Sequence, residues 1–301
     1  MNKYFKFFLS LFLTIIIIKV FNINIKSFFL SIKISHIFLL TISFLASYIF
    51  SSLRFMFILN IFNENIRFSR SFVLTIYQNL FNSLSVSGSG EVIKYFKKNN
   101  INSFDMGFSI IIEKISGILA SISIIILSSI YLFLTIEDEK IFFSIILLII
   151  ILFSIISYFT KFFQKIPYYY YIKKMYYIKN NLKLFFLVLF FSLFLQFISI
   201  LSYVILFKLN YVENINFFLL AIMVPIINLL SAIPLSFSGI GIRDISAILL
   251  LSLLNILPEQ SLYVTYVIGV FSILFSISIL LINQLGKSFF ILNSKYSRKN
   301  N

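Results

Sequence analysis

The chain has no cysteine and no tryptophan, and only one histidine, four prolines, eight glycines and ten acidic residues in 301 positions. Without cysteine there are no disulfides and no thiolate metal sites, and the redox compartment is left open. Catalysis normally calls for placed acids, bases or metal ligands. One histidine, His36, and few carboxylates at membrane depth make a thin stock, and His36 reads as an interfacial residue. The expectation is therefore a protein that is not an enzyme, with no cofactor and no metal. Charged residues make up 12% of the chain, about half the ~25% usual in soluble domains, which excludes an ordinary soluble domain.

What the chain has instead is apolar length. Hydrophobic residues reach 60%, mean hydropathy is +1.02, and several runs approach the ~20 residues that span a bilayer as a helix. The fold expected is all-α, a polytopic helical membrane protein in one integral domain over residues 1–301. About six full spans are predicted: Phe5–Phe21, His36–Phe62, Gly107–Ile136, Ile141–Thr160, Leu184–Phe207 and Leu262–Leu285. Met1–Lys6 and the apolar Phe7–Ile18 look like the start of a signal peptide, but no small-residue cleavage site follows, so a retained helix is expected.

The net charge of +15 does not point to nucleic acid, because the lysines sit in short loops between apolar runs. Such loops suit anionic headgroups and the positive-inside bias. Lys161–Lys183 holds six lysines around the cluster Tyr168–Tyr171, so it is assigned to the cytoplasmic face. Threading outward from it puts most basic residues and both termini on the cytoplasmic side of the cell membrane. Lys26 and Lys33 dissent, falling outside.

Four of the eight glycines lie in two matched stretches, Ser85–Glu91 (SVSGSGE) and Ser236–Asp244 (SFSGIGIRD), 151 positions apart. Both read S-x-S-G-x-G and both interrupt apolar segments. Glycine weakens a helix interior and permits close backbone approach, so each stretch is expected to be the tip of a broken-helix hairpin. In the second, Pro225 and Pro234 predict a kink or break as well. The same 151-residue shift lays one span on another throughout, giving pseudo-repeats of about 36–136 and 187–287 that cross in opposite directions. Inverted repeats with interrupted helices are a common transporter layout, with the substrate at the repeat interface near the midplane.

A charge at membrane depth needs a partner, a cavity or a function. Arg243 and Asp244 follow the second glycine pair where a helix begins, and the amides after Gly239 and Gly241 together with the guanidinium would hold a phosphate. Glu91 and Lys94 follow Gly88 and Gly90 at one-turn spacing and would line the opposite half. The plainer alternative is that each carboxylate only neutralises its neighbouring base. Arg54 reads as a snorkelling side chain, and Glu113 and Lys114, being adjacent on a helix, do not pair with each other.

Three stretches carry a family resemblance: Gln78–Lys94 (QNLFNSLSVSGSGEVIK), Ile111–Ala120 (IIEKISGILA) and Pro234–Asp244 (PLSFSGIGIRD). In this order and spacing they resemble the flippase-like membrane domain of bacterial lysylphosphatidylglycerol synthases, over roughly Phe5–Leu285. Glu91 and Lys94 stand where that family often has Asp and Arg, Lys114 where Arg is expected, and Gly117 where Asp is common. The soluble aminoacyl-transfer domain of the full-length synthases has no counterpart in these residues, so the resemblance does not imply lipid lysylation. It implies translocation of an anionic or phosphate-bearing lipid, with Arg243, Asp244, Gly239, Gly241, Gly88, Gly90, Glu91 and Lys94 at the site. The partners expected are membrane lipids and a separate headgroup synthase or glycosyltransferase, with no nucleic acid. Two rival readings are a membrane-embedded transferase acting on polyprenyl-linked sugars and a scaffold for glycolipid or envelope polysaccharide synthesis.

Overall fold

The computed structural model describes residues 34–84, 89–96, 101–135, 177–209, 216–232 and 242–297. The expected spans Phe5–Phe21 and Ile141–Thr160, the tyrosine cluster, and Gly88, Gly239 and Gly241 at the hairpin tips lie outside the described residues. The described residues are almost entirely helical. The helices are α1 (Ile34–Ile61), α2 (Phe68–Leu84), α3 (Ser89–Phe96), α4 (Ser103–Thr135), α5 (Leu182–Leu209), α6 (Phe217–Ser231), α7 (Ile242–Ser252) and α8 (Pro258–Ser297). Four carry segments long and apolar enough to cross a membrane: Ile37–Ile61, Ser103–Thr135, Leu182–Lys208 and Pro258–Ile282. They coincide with four of the six expected spans.

Local chemistry explains where these helices stop. Asn63 and Asn255 adopt left-handed backbone, at φ 61° and 57°. At the end of α1, Glu64 N donates to Leu59 O and Asn63 N to Asn60 O, both at 3.1 Å. At the end of α7, Ile256 N donates to Leu251 O at 3.2 Å and Asn255 N to Ser252 O at 3.0 Å. Both are Schellman caps, which satisfy carbonyls that would otherwise face lipid or protein unpaired. Asparagine fills the position usually held by glycine. Asn216 caps the start of α6 through its Oδ1, 2.9 Å from Phe218 N, and Asn102 does the same for α4 at Phe104 N, 3.0 Å. Pro225 lies inside α6, which continues through it as a helix, so the kink or break expected there does not end the segment.

Contacts between helices set their directions. Asn181, just before α5, donates to Ile61 O at the end of α1 (3.3 Å), and Phe57–Phe191 and Phe50–Phe194 pack further along, so α1 and α5 are antiparallel. Asn102 N bonds Glu64 Oε1 at 3.2 Å, bringing the start of α4 to the same end. Phe44 packs on Phe271 and Tyr48 on Phe275, so α8 runs parallel to α1. At the opposite end, Tyr131 stacks on Phe218 at 3.8 Å, placing the start of α6 beside the end of α4. The pair α2–α3 thus enters from one end of the bundle, and α6–α7 from the other.

The largest apolar core joins α5, α6, α7 and α8 through residues such as Tyr203, Phe207, Val224 and Val264. A second joins Phe55, Leu59 and Leu74 of α1 and α2 to Met106 of α4. On α4, Ser109, Ser116, Ser121 and Ser129 are buried, each hydroxyl bonded to a carbonyl three or four residues earlier. Small residues with internally satisfied hydroxyls let helices approach closely where lipid supplies no hydrophobic drive. Phe186, Phe190, Phe194 and Phe197 of α5 face outward, as a lipid-facing row should.

Candidate functional site

The first hairpin closes because Gly90 lies directly against α2. A Cβ on Gly90 would overlap the backbone carbonyl of Gln78, and its own N–H donates to Asn82 Oδ1 at 2.9 Å. This close approach brings Glu91 and Lys94 under α2 and against α4. Lys94 is fully buried, yet its ammonium meets Glu113 Oε2 at 2.8 Å, Gln78 Oε1 at 2.8 Å and the face of Phe55 at 3.3 Å. The other oxygen of Glu113 takes Arg54 Nη2 at 2.9 Å, while Arg54 Nη1 lies 3.4 Å from Ser192 Oγ. Glu113 therefore sits between two cations brought by α1 and α3. Buried charges persist only when paired and hydrogen-bonded in this way.

The neighbouring Lys114 takes a different partner. Its ammonium lies 2.6 Å from Glu91 Oε1, and that oxygen is also approached by Gln78 Nε2 and Asn82 Nδ2 at 3.4 Å. Adjacent positions on a helix diverge by about 100°, which is why Glu113 points into the α1–α3 cluster and Lys114 away from it. Lys114 is half exposed, whereas Glu91 is buried behind it.

The second hairpin delivers Arg243 from the first turn of α7. Its Nε stands 3.6 Å from Asp244 Oδ1, and its guanidinium lies against the bare Cα of Gly269 on α8. A cavity of about 410 Å³ opens here, and both Arg243 and Lys114 line it. Its other polar walls come from α2 (Asn79, Asn82, Ser83), α1 (Ser47, Tyr48) and α8 (Tyr266, Ser272). Ser231 and Ala232, at the end of α6, complete it from the second hairpin. Ser83 and Ser272 touch through their hydroxyls at 3.2 Å. Gly269 and Ser272 lie roughly 17 and 21 Å along the 25-residue span Pro258–Ile282 at ~1.5 Å per residue, which is its middle. The cavity is at mid-depth.

Of the residues singled out from sequence, the structure brings Arg243 to the cavity with Asp244 buried beside it. Gly90 serves hairpin closure. Glu91 stands behind the cavity wall, and Lys94 is enclosed in the ion cluster rather than in the cavity lining. Arg54 does not snorkel; it is held by Glu113 within the bundle. Lys114 is the cavity residue that sequence reasoning passed over. Its signal was present, since a lysine inside a long apolar span needs a partner or a cavity and the adjacent Glu113 faces away from it. Among the described residues no group of histidine, cysteine and carboxylate side chains could hold a metal ion.

No curated protein and no solved structure matches the chain. A family model does, across residues 7–279: the TM region of lysylphosphatidylglycerol synthase. That match takes in both hairpins, the ion cluster and the mid-depth cavity, and the chain belongs to the lysylphosphatidylglycerol synthase TM region family of membrane proteins.

Proposed function

We propose that the chain translocates an anionic or phosphate-bearing lipid across the cytoplasmic membrane, with the headgroup held in the mid-depth cavity and the acyl chains left in the bilayer. The observation that carries this reading is that residues of two hairpins, entering from opposite ends, line one cavity with two cations facing it. A charged headgroup crossing hydrocarbon needs such a polar, cationic station, and inverted halves that meet at it can open alternately to either side. In this reading 36–136 and 187–287 are inverted pseudo-repeats, both termini are cytoplasmic, and α2–α3 enters from the cytoplasmic side. Arg243 is the phosphate anchor because its planar fork matches two phosphate oxygens. The site performs no covalent step.

The test is scrambling of headgroup-labelled lipids in reconstituted vesicles. Arg243→Lys keeps the charge and loses the fork, so transport falls; Arg243→Gln nearly abolishes it, with little change in thermal stability. Recovery of transport in Arg243→Gln/Asp244→Asn would overturn the assignment and leave Arg243 as a helix-end charge neutralised by its neighbour.

A further inference from the structure

We infer that translocation is electrogenic: the headgroup crosses as an uncompensated negative charge, so the membrane potential alone drives it toward the positive side. This deepens the reading above and rests on it for the movement of a lipid. An anion crosses without net charge only if a positive charge crosses with it. That charge could be a cation of the cavity wall travelling with the headgroup, or a proton or other small cation held on a wall carboxylate. The structure speaks against both.

The wall cations are anchored. Lys114 Nζ lies 2.6 Å from Glu91 Oε1, and Arg243 Nε 3.6 Å from Asp244 Oδ1. Asp244 is the next residue on α7. Glu91 lies on α3, which the Lys94–Glu113 ion pair ties to α4, the helix that carries Lys114. Each cation therefore stays beside its carboxylate whichever face the cavity opens to, and the two pairs add no net charge to the wall. The extra positive charge of the Arg54–Glu113–Lys94 cluster is fixed as well. Lys94 is fully buried away from the cavity lining, and Glu113 holds its two cations at 2.8 and 2.9 Å. Alternate opening of a mid-depth cavity moves the barrier past the headgroup while these charges stay in place.

Nor does the wall offer a carrier for a proton. Among the described residues no carboxylate and no histidine lines the cavity. The segments 85–88 and 233–241, which continue the hairpins, contain neither in their sequence. Glu91 stands behind Lys114, with Oε1 taken by Lys114, Gln78 and Asn82 and Oε2 buried. The other polar walls are hydroxyls and amides, such as Tyr48, Ser83, Asn79 and Asn82, which keep their protons near neutral pH. A cytoplasm held negative would thus expel the headgroup to the outer leaflet without a second ion.

The test uses the full chain reconstituted in phosphatidylcholine vesicles with a trace of acyl-labelled phosphatidylglycerol, a lipid of one net negative charge. A potassium gradient with valinomycin sets the voltage, a buffer gradient sets the pH difference, and chemical quenching of the outer label reads the leaflet ratio. With the interior negative, the label is expected to gather in the outer leaflet, the ratio rising about tenfold for every ~60 mV. Reversing the voltage is expected to gather it inside. A pH gradient at zero voltage is expected to leave the ratio unchanged. A ratio that follows the pH gradient, about tenfold per unit, would reveal a co-transported proton and overturn the inference. So would a ratio indifferent to voltage while the label exchanges faster than in protein-free vesicles. Either result leaves the translocation reading standing. Movement no faster than in protein-free vesicles, with or without voltage, would sink translocation itself and the inference with it.

Discussion

Glu113→Gln is the sharpest perturbation that the structure offers. The substitution keeps shape and removes the one negative charge shared by Lys94 and Arg54, whose nitrogens lie 2.8 and 2.9 Å from its oxygens. Lys94 is fully buried, so its ammonium is then left with neutral partners, among them Gln78 and the face of Phe55. Removing one partner of a buried ion pair costs about 3–5 kcal/mol, mostly as the penalty for the charge left behind. At ~2–4 °C per kcal/mol for a chain near this size, the melting temperature should fall on the order of 10 °C. The double variant Glu113→Gln/Lys94→Met removes the stranded ammonium too and fills its space with an apolar chain. It should recover more than half of the loss, because apolar replacement of a buried pair is close to neutral. Melting curves of the unaltered chain, Glu113→Gln, Lys94→Met and the double variant in one detergent complete the cycle. Additive effects of the two substitutions, or a single-variant shift within error, would show that the cluster is not energetically coupled and refute the argument.

Two glycines should separate cleanly. Gly90→Ala drives a methyl into the Gln78 carbonyl and is expected to destabilise by at least ~1–3 kcal/mol, seen as a lower yield and melting temperature. Gly269→Ala meets only the movable end of Arg243 at 2.8 Å, so stability should hold while Arg243-dependent scrambling falls. Single cysteines in this cysteine-free chain report sidedness: Glu259→Cys should label with an impermeant reagent from outside intact cells, and Asn65→Cys should not. Ser83→Cys/Ser272→Cys, whose hydroxyls now touch at 3.2 Å, should form a disulfide that stops scrambling until reduced. Unchanged transport by the oxidised protein would show that these helices need not separate.

The spans were legible because twenty-residue apolar runs have few other uses, and the hairpins because glycine is scarce enough for its repetition to stand out. The crossing count between the hairpins, on which the expected inversion rests, includes Ile141–Thr160, which lies outside the described residues. The partners of the charges did not follow. Glu91 and Lys94 are one turn apart and suggest a shared role, yet α3 turns Lys94 inward to Glu113 and leaves Glu91 for Lys114. Arg54 is 59 positions from Glu113, and nothing local announces their contact. A one-dimensional reading finds charges that need partners; only the packing of α1, α3 and α4 decides which they get. Of the kink or break expected at Pro225, a break does not occur. A proline removes one donor and disfavours the preceding turn, but burial among apolar neighbours holds α6 together across it.

The ion cluster also bears on how the halves could move. Arg54, Lys94 and Glu113 tie α1, α3 and α4 to one another, with α5 added through Ser192. Separating any of these would strand a charge in a low-dielectric interior, so the first hairpin is fixed to that body. No such tie crosses to the second hairpin among the described ion pairs: Arg243 pairs with its own neighbour, Asp244. Where α2 meets α8 a pair of serine hydroxyls touches, a contact that exchanges partners at little cost. The cavity lies along this weaker seam, with Lys114 held on the stiff side and Arg243 on the other. A headgroup bridging the two cations would therefore bind most tightly when the seam is closed around it. Release to either face would need the cations drawn apart, which leaves the ion pairs among the described residues intact.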